Sequence, residues 1–240
     1  MSFYSTLKNA FLPSAVDFRR LPFGVGAGVV MRIDFSHQTR LFFGLYEIEI
    51  AGHCKRLLRQ SKNAFDIGAN AGYYSLILAK HTGGKVVAVE PVSENISEMQ
   101  ENFDRNDYPI TVVKALLGAK PEGGTISLDR LCSDHFRPDF IKMDIEGGEV
   151  DALKGGVGLI EEYRPHMVIE VHGEDLEAGC REILNRYGYR ITRVAPRAWL
   201  PERRVDEYNG WIICEGSPGQ KISGIPNKRN QPPDVSVNGL

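Results

Sequence analysis

Cysteine is scarce: Cys54, Cys132, Cys180 and Cys214 are the only four in 240 residues. They match no metal-ligand spacing and are expected to be reduced thiols. No apolar run reaches the roughly 18 residues that a membrane helix needs. Residues 1–13 lack a charged start followed by a continuous apolar core, so no secretory leader is expected and a cytoplasmic location follows. Charge of one sign is missing too: 29 basic against 31 acidic side chains leave a net charge of −2. Such a field advertises neither a nucleic-acid nor a membrane partner. There is no internal repeat. What remains, 42% apolar and 25% charged, suits a soluble globular protein with one sizeable core.

Three short runs carry the information. They are Ala64-Phe65-Asp66-Ile67-Gly68-Ala69-Asn70-Ala71-Gly72-Tyr73-Tyr74-Ser75, then Lys85-Val86-Val87-Ala88-Val89-Glu90-Pro91, then Asp139-Phe140-Ile141-Lys142-Met143-Asp144-Ile145-Glu146-Gly147. Each reads as a buried apolar strand with an acid at or just past its end. In an open parallel sheet such ends line the ligand crevice. Gly68 and Gly72 let a ligand approach the first turn, and the helix that follows offers free N–H groups. Asn70 is expected to fix that turn. Glu90, placed 22 residues after Gly68, suits the two hydroxyls of a ribose.

The turn reads Gly68-x-Asn70-x-Gly72, not the G-x-G-x-x-G of a dinucleotide site. Asp66 beside it would repel a pyrophosphate by several kcal/mol in a partly buried site. The same carboxylate suits an ammonium. S-adenosylmethionine carries an ammonium, a sulfonium and a ribose but no phosphate, and is therefore the expected cofactor. Tyr73, first in the following helix, is a candidate to cover it. Against each reading stands a plainer one: Asp66 as a helix cap, the glycines as turn residues, Glu90 as a solvated charge.

Strands are predicted over 64–67, 85–89, 110–113, 140–143, 167–171, 189–194 and 211–214, with helices over 73–81, 92–106, 150–162 and 176–187. This alternation predicts an α/β fold, a seven-stranded, mostly parallel sheet with helices on both faces and an antiparallel terminal hairpin. Residues 1–62 are expected to form an N-terminal cap, with a strand over 29–35, a partner strand over 40–43 and an amphipathic helix over 46–60. A packed helix is expected within 11–23. Residues 63–215 form the main domain, and 216–240 read as a disordered tail.

At these residues the chain resembles the FkbM family of methyltransferases. The resemblance rests on Asp66-Ile-Gly-Ala-Asn-Ala-Gly-Tyr-Tyr-Ser75, on Asp139-Phe-Ile-Lys-Met-Asp-Ile-Glu-Gly-Gly-Glu149, and on Arg164-Pro-His-Met-Val-Ile-Glu-Val-His172; Gly44-Leu-Tyr-Glu47 is a further element. It spans about residues 41–194. It implies a Rossmann-like class I methyltransferase acting on hydroxyl oxygens of sugars, glycolipids or related metabolites. Glu47 is carried over as a residue facing the cofactor cavity, and Leu117 is the candidate to pack on adenine.

Asp144, Glu146, Glu170 and His172 form the expected chemical cluster, with Asp144, Glu170 and His172 as the catalytic candidates. Methyl transfer to an alcohol needs the hydroxyl proton removed, and a positioned base contributes about 10²–10⁴-fold. His172 is the natural base because free imidazole titrates near 6.5; its plainer reading is a loop histidine bonded to a carbonyl. Glu170 reads equally as a brace for Lys142. The same three groups could instead hold Mg²⁺ and polarise the acceptor. The partner expected is a small-molecule or glycan hydroxyl, with an oligomer open. Two other functions stay in view: a nicotinamide-dependent oxidoreductase, which lacks here the third fingerprint glycine, and a non-catalytic S-adenosylmethionine-binding protein.

Overall fold

The computed structural model describes residues 15–121, 123–198 and 208–218. Two short antiparallel strands come first, β1 (Asp17–Arg20) and β2 (Val30–Ile33), then α1 (Thr39–Phe42) and α2 (Ile48–Leu58). The main sheet follows in the order β10-β11-β9-β8-β3-β4-β5. Its strands are β3 (Ala64–Ile67), β4 (Val86–Val89), β5 (Ile110–Val113), β8 (Phe140–Met143), β9 (His166–Val171), β10 (Arg190–Val194) and β11 (Gly210–Glu215). β3, β4, β5, β8 and β9 run parallel; β11 lies antiparallel to both β9 and β10. The chain reverses its direction of strand addition at β3 and β8, the position where open α/β sheets bind ligands.

Alternation along each strand builds two cores. Phe65, Ile67, Ile141, Met143, Ile169 and Ile212 face one side, against α5 (Leu128–Asp134), α6 (Glu149–Lys154), α7 (Val157–Tyr163) and α8 (Glu174–Arg186). Ala64, Ala88, Phe140, Val168 and Trp211 face the other, with α3 (Tyr73–Thr82) and the N-terminal cap. Helix α3 is buried at every position from Tyr73 to Ala79, because the sheet lies on one side and the cap on the other. α4 (Ser93–Phe103) closes this layer, and a two-residue parallel bridge joins β6 (Leu116–Leu117) to β7 (Thr125–Ile126).

The cap differs from its sequence reading. Residues 17–20, expected as helix, form β1, and it is this strand that pairs with β2. The run 40–43, expected as a strand, lies largely in the single turn α1: the Thr39 hydroxyl donates to Phe35 O, and Phe42 packs edge-on against Phe35 at 4.9 Å. The outer edge of β2 is completed by side chains instead. Asn102 Oδ1 accepts from Arg32 N at 2.8 Å, and Asn106 both accepts from Val30 N and donates to Val30 O. The predicted helix over 150–162 is two. Asp129 intervenes, its N–H bonded to Gly155 O and its carboxylate accepting from Gly158 N and Leu159 N at the start of α7. The expected tail, beyond residue 218, lies outside the described residues. No described helix is long and apolar enough to cross a membrane.

Candidate active site

A cleft of about 1450 Å³ opens over the C-terminal tips of β3, β4 and β8, walled on the far side by the cap. Asp66, Gly68, Asn70, Tyr73, Glu90, Leu117 and Asp144 line it, as do Lys142, Tyr46 and Arg40. Gly72 and Glu47 are not in the wall.

The turn after β3 is held by contacts that its sequence requires. Gly68 has φ +81°, and a Cβ there would stand 1.8 Å from Asp144 O, so the β3 and β8 tips meet only because residue 68 is glycine. Gly72 also has positive φ, but its missing Cβ makes room for Met99 and Phe103 of α4, a packing role away from the cleft. Asn70 adopts φ 48° and its N–H donates to Glu90 Oε2 at 2.9 Å. Asn102 Nδ2 bonds Ala71 O, tying this turn to the cap strand β2. Glu90 Oε1 accepts from Val92 N and Asn95 Nδ2. With three of about four carboxylate acceptor positions filled, Glu90 keeps one on Oε2.

Beneath the cleft lies a buried ionic layer. Asp66 Oδ2 accepts from the Ser75 hydroxyl at 2.6 Å. Burial pushes the Asp66 carboxyl up to about 6, against the opposing effects of Ser75 and Lys142. Lys142 Nζ sits 3.9 Å from Glu47 Oε2 and 4.9 Å from the Tyr74 ring centre. Burial works against its charge, but Glu47, Asp144, Glu170 and Asp66 together hold it above the ordinary lysine value. Tyr74 donates its hydroxyl to Glu47 at 2.8 Å. Glu47 therefore belongs to the support under the floor, reached through Tyr74 and Lys142.

Of the expected chemical cluster, Asp144 and Glu146 line the cleft; Glu170 and His172 do not. His172 stands behind Asp144, its side chain 15% exposed, with Nε2 3.5 Å from Asp144 Oδ1. On its other side Nδ1 lies 3.1 Å from Glu149 Oε1, which also accepts from Gly147 N. Glu149 raises His172 above the ordinary imidazole value; burial opposes this, and Asp144 and Glu170 add to it. Glu170 Oε2 accepts from the Trp211 indole N–H at 3.1 Å, its neighbour across the β9–β11 register. Ligand atoms of Asp144, Glu170 and His172 lie within 4.8 Å of one another. An imidazole beside two carboxylates, one already engaged by an indole, fits the all-oxygen octahedral preference of Mg²⁺ poorly. No chemical step is assigned to a metal.

Residues 118–191 match the family profile described as Methyltransferase FkbM domain. This stretch runs from the end of β6 into β10 and carries Asp144, Glu149, Glu170 and His172. Over that stretch the chain is similar to the FkbM methyltransferases. Among curated proteins, hexuronic acid methyltransferase AglP of Haloferax volcanii is 24% identical over 136 residues, which is 45% of this chain and 55% of that one. The match thus spans about half the length of that relative. Among solved structures, an FkbM methyltransferase from Methylobacillus flagellatus gives a TM-score of 0.51 at 26% identity, covering 65% of this chain and 44% of the other. A precorrin-6Y C5,15-methyltransferase from Geobacter metallireducens gives 0.52 at 18% identity, covering 71% and 88%. The fold is the Rossmann-like class I methyltransferase fold expected from the strand pattern.

Sequence reasoning did not single out Glu149, Ser75 or the cap side chains in the cleft wall. Glu149 had a usable signal: it follows Asp144 by five residues in the run Asp-Ile-Glu-Gly-Gly-Glu, just where a helix begins.

Proposed function

We propose that this chain is an S-adenosylmethionine-dependent O-methyltransferase that methylates a hydroxyl of a sugar or related glycan. The observation that carries this reading is the sign of the charge where the strand tips meet the cleft. Asp66, Glu90 and Asp144 stand there, and Lys142, the cation set among them, is itself flanked by Glu47. A pyrophosphate would meet carboxylates; a ribose, an ammonium and a sulfonium meet acceptors and opposite charge. Glu90 is suited to a ribose hydroxyl through its remaining acceptor position, Asp66 to the ammonium, and Leu117 to an adenine face.

When bound, the cofactor supplies a methyl group on a sulfonium centre. The acceptor oxygen forms the new O–C bond as the C–S bond breaks, the bonding pair goes to sulfur, and the hydroxyl proton must leave. Asp144 is the group placed to hold that hydroxyl, and the proton it receives passes on to Nε2 of His172, 3.5 Å behind it, which is the terminal base. A sugar acceptor is supported by the hexuronic acid activity named for the Haloferax relative. The cap adds His37 and Arg40 to the cleft wall, which is suitable chemistry for a carboxylate-bearing sugar.

The test is a thermal-shift panel of S-adenosylhomocysteine, NAD and NADP. A ligand at about 100 times its dissociation constant adds roughly 2.7 kcal/mol of stability. Stabilisation by S-adenosylhomocysteine is expected; stabilisation by the nicotinamides alone would overturn the cofactor. Labelled-methyl transfer to uronic and neutral sugars, with and without chelator, then tests the acceptor class and the absence of a metal step.

A further inference from the structure

Glu149 is a charged side chain near the cleft that the reaction described above does not use. It is the first residue of α6, is 0% exposed, and is out of reach of any ligand in the cleft. One oxygen, Oε1, is bonded to Gly147 N and lies 3.1 Å from His172 Nδ1; the other, Oε2, is buried with no hydrogen-bond partner. A carboxylate buried in this way is costly to keep. Its surroundings nevertheless hold it below the usual carboxylate range: burial opposes this, but the His172 and Gly147 contacts outweigh it.

We infer that Glu149 is a positioning residue, which accepts the Nδ1–H of His172 and so leaves Nε2 bare toward Asp144. The inference rests on His172 acting as the base. A neutral imidazole carries one N–H, and a carboxylate that only accepts decides which nitrogen holds it. On the other side of the ring, Nε2 and Asp144 Oδ1 are 3.5 Å apart, and neither needs to donate to the other before the reaction begins. Once Nε2 has taken the acceptor's proton by way of Asp144, the imidazolium lies between two carboxylates, Glu149 and Asp144. Without Glu149 the ring is free to place its proton on Nε2, and it would then point a donor at Asp144 and cease to be a base. The arrangement follows the logic of base and orienting acid in hydrolase triads, with Glu149 in the orienting place.

The test uses ¹⁵N-histidine-labelled full-length protein, with His172 assigned by its loss in H172Q. In the wild type above the ring's titration, one-bond and two-bond correlations should report the Nδ1–H form. Glu149→Leu should move the ring to the Nε2–H form, and Glu149→Gln, which keeps a carbonyl acceptor, should restore Nδ1–H. In parallel, Glu149→Leu should lower kcat by 10²-fold or more while leaving the S-adenosylhomocysteine dissociation constant within about threefold. A wild-type ring in the Nε2–H form overturns the inference even if Glu149→Leu fails to fold, and so does a Glu149→Leu ring that stays Nδ1–H. Failure of S-adenosylhomocysteine to bind the wild type would sink the function and leave the tautomer result standing, so the two failures are separable.

Discussion

Asp66 and Lys142 stand opposite one another across the β3–β8 ladder, and each is 1% exposed. The pair sits under the cleft because period-two alternation places both side chains on the cap face of the sheet. Asp66 is nonetheless poorly served: its carboxyl is pushed up to about 6 by burial, above the roughly 3.9 of an unfolded chain. A strongly shifted group in a cleft is a mark of function more than of stability.

Asp66→Asn should therefore separate the two. The folded protein holds this proton more tightly than the unfolded chain does, so between about pH 4 and pH 6 wild-type stability falls as pH rises. At pH 7 the ionised group costs on the order of 3 kcal/mol, at about 1.4 kcal/mol per pH unit of separation. The Asn variant should lose that slope and be at least as stable as wild type at pH 7.5 by thermal denaturation. Its affinity for S-adenosylhomocysteine should fall about tenfold or more by calorimetry. A variant that is destabilised at pH 7.5 yet binds normally would make Asp66 a structural residue.

Asn102 joins the cap to the turn after β3. It is fully buried, accepting from Arg32 N in β2 and donating to Ala71 O in the turn. Asn102→Leu keeps the volume but strands two part-buried backbone groups, at a cost of up to about 1–3 kcal/mol each. The expected result is a loss of roughly 2–5 kcal/mol in denaturant unfolding, together with weaker cofactor binding. Weakened stability with unchanged binding would show that the turn does not depend on this link.

How far the sequence could be read follows from the range of each interaction. The parallel strands were legible because a strand buried on both faces is apolar throughout, as in Ile141 and Met143 on one face and Phe140 on the other. Asp66, Glu90 and Asp144 were legible because a carboxylate closing such a run has few reasons to be there. The cap was not. β2 takes its edge partners from Asn102 and Asn106, some 70 residues on, and no local pattern announces that. The polar strand β1, Asp-Phe-Arg-Arg, has no alternation to separate it from a loop or a helix. Position along the chain also could not tell Gly68 from Gly72: one faces Asp144, the other Met99 and Phe103, and only packing assigns them.

Arg197 fixes the cap to the end of β10. Its guanidinium and backbone N–H grip both oxygens of Glu49 at 2.7 and 2.9 Å, and Nη2 donates to the carbonyl of Leu45, a cleft residue. The two side chains are 5% and 9% exposed. Removing one partner leaves the other charge buried, so Glu49→Ala should cost about 3–5 kcal/mol in chemical denaturation. Arg197→Lys should recover little of an Arg197→Ala loss, because an ammonium cannot reproduce the two-pronged contact. A loss below about 1 kcal/mol in Glu49→Ala would mean that the pair is hydrated in solution.

His172 gives the pH dependence its direction. Its hydrogen bond with Glu149, and behind that the charges of Asp144 and Glu170, hold it above the ordinary imidazole value of about 6.5, with burial opposing. A folded-state value above the unfolded one means that the stabilisation from the charged ring is complete below about pH 6.5 and is lost as pH rises through the higher folded value. Methyl transfer by the route proposed above needs the opposite form, the neutral ring. Activity should thus climb with pH through a midpoint above 6.5, over the same interval in which stability declines. His172→Gln should remove the limb from the rate profile, lower the plateau by about 10²–10⁴-fold, and flatten the stability curve in that interval. If the limb persists in His172→Gln, the proton goes to another group, and Asp144, which faces the acceptor directly, becomes the base.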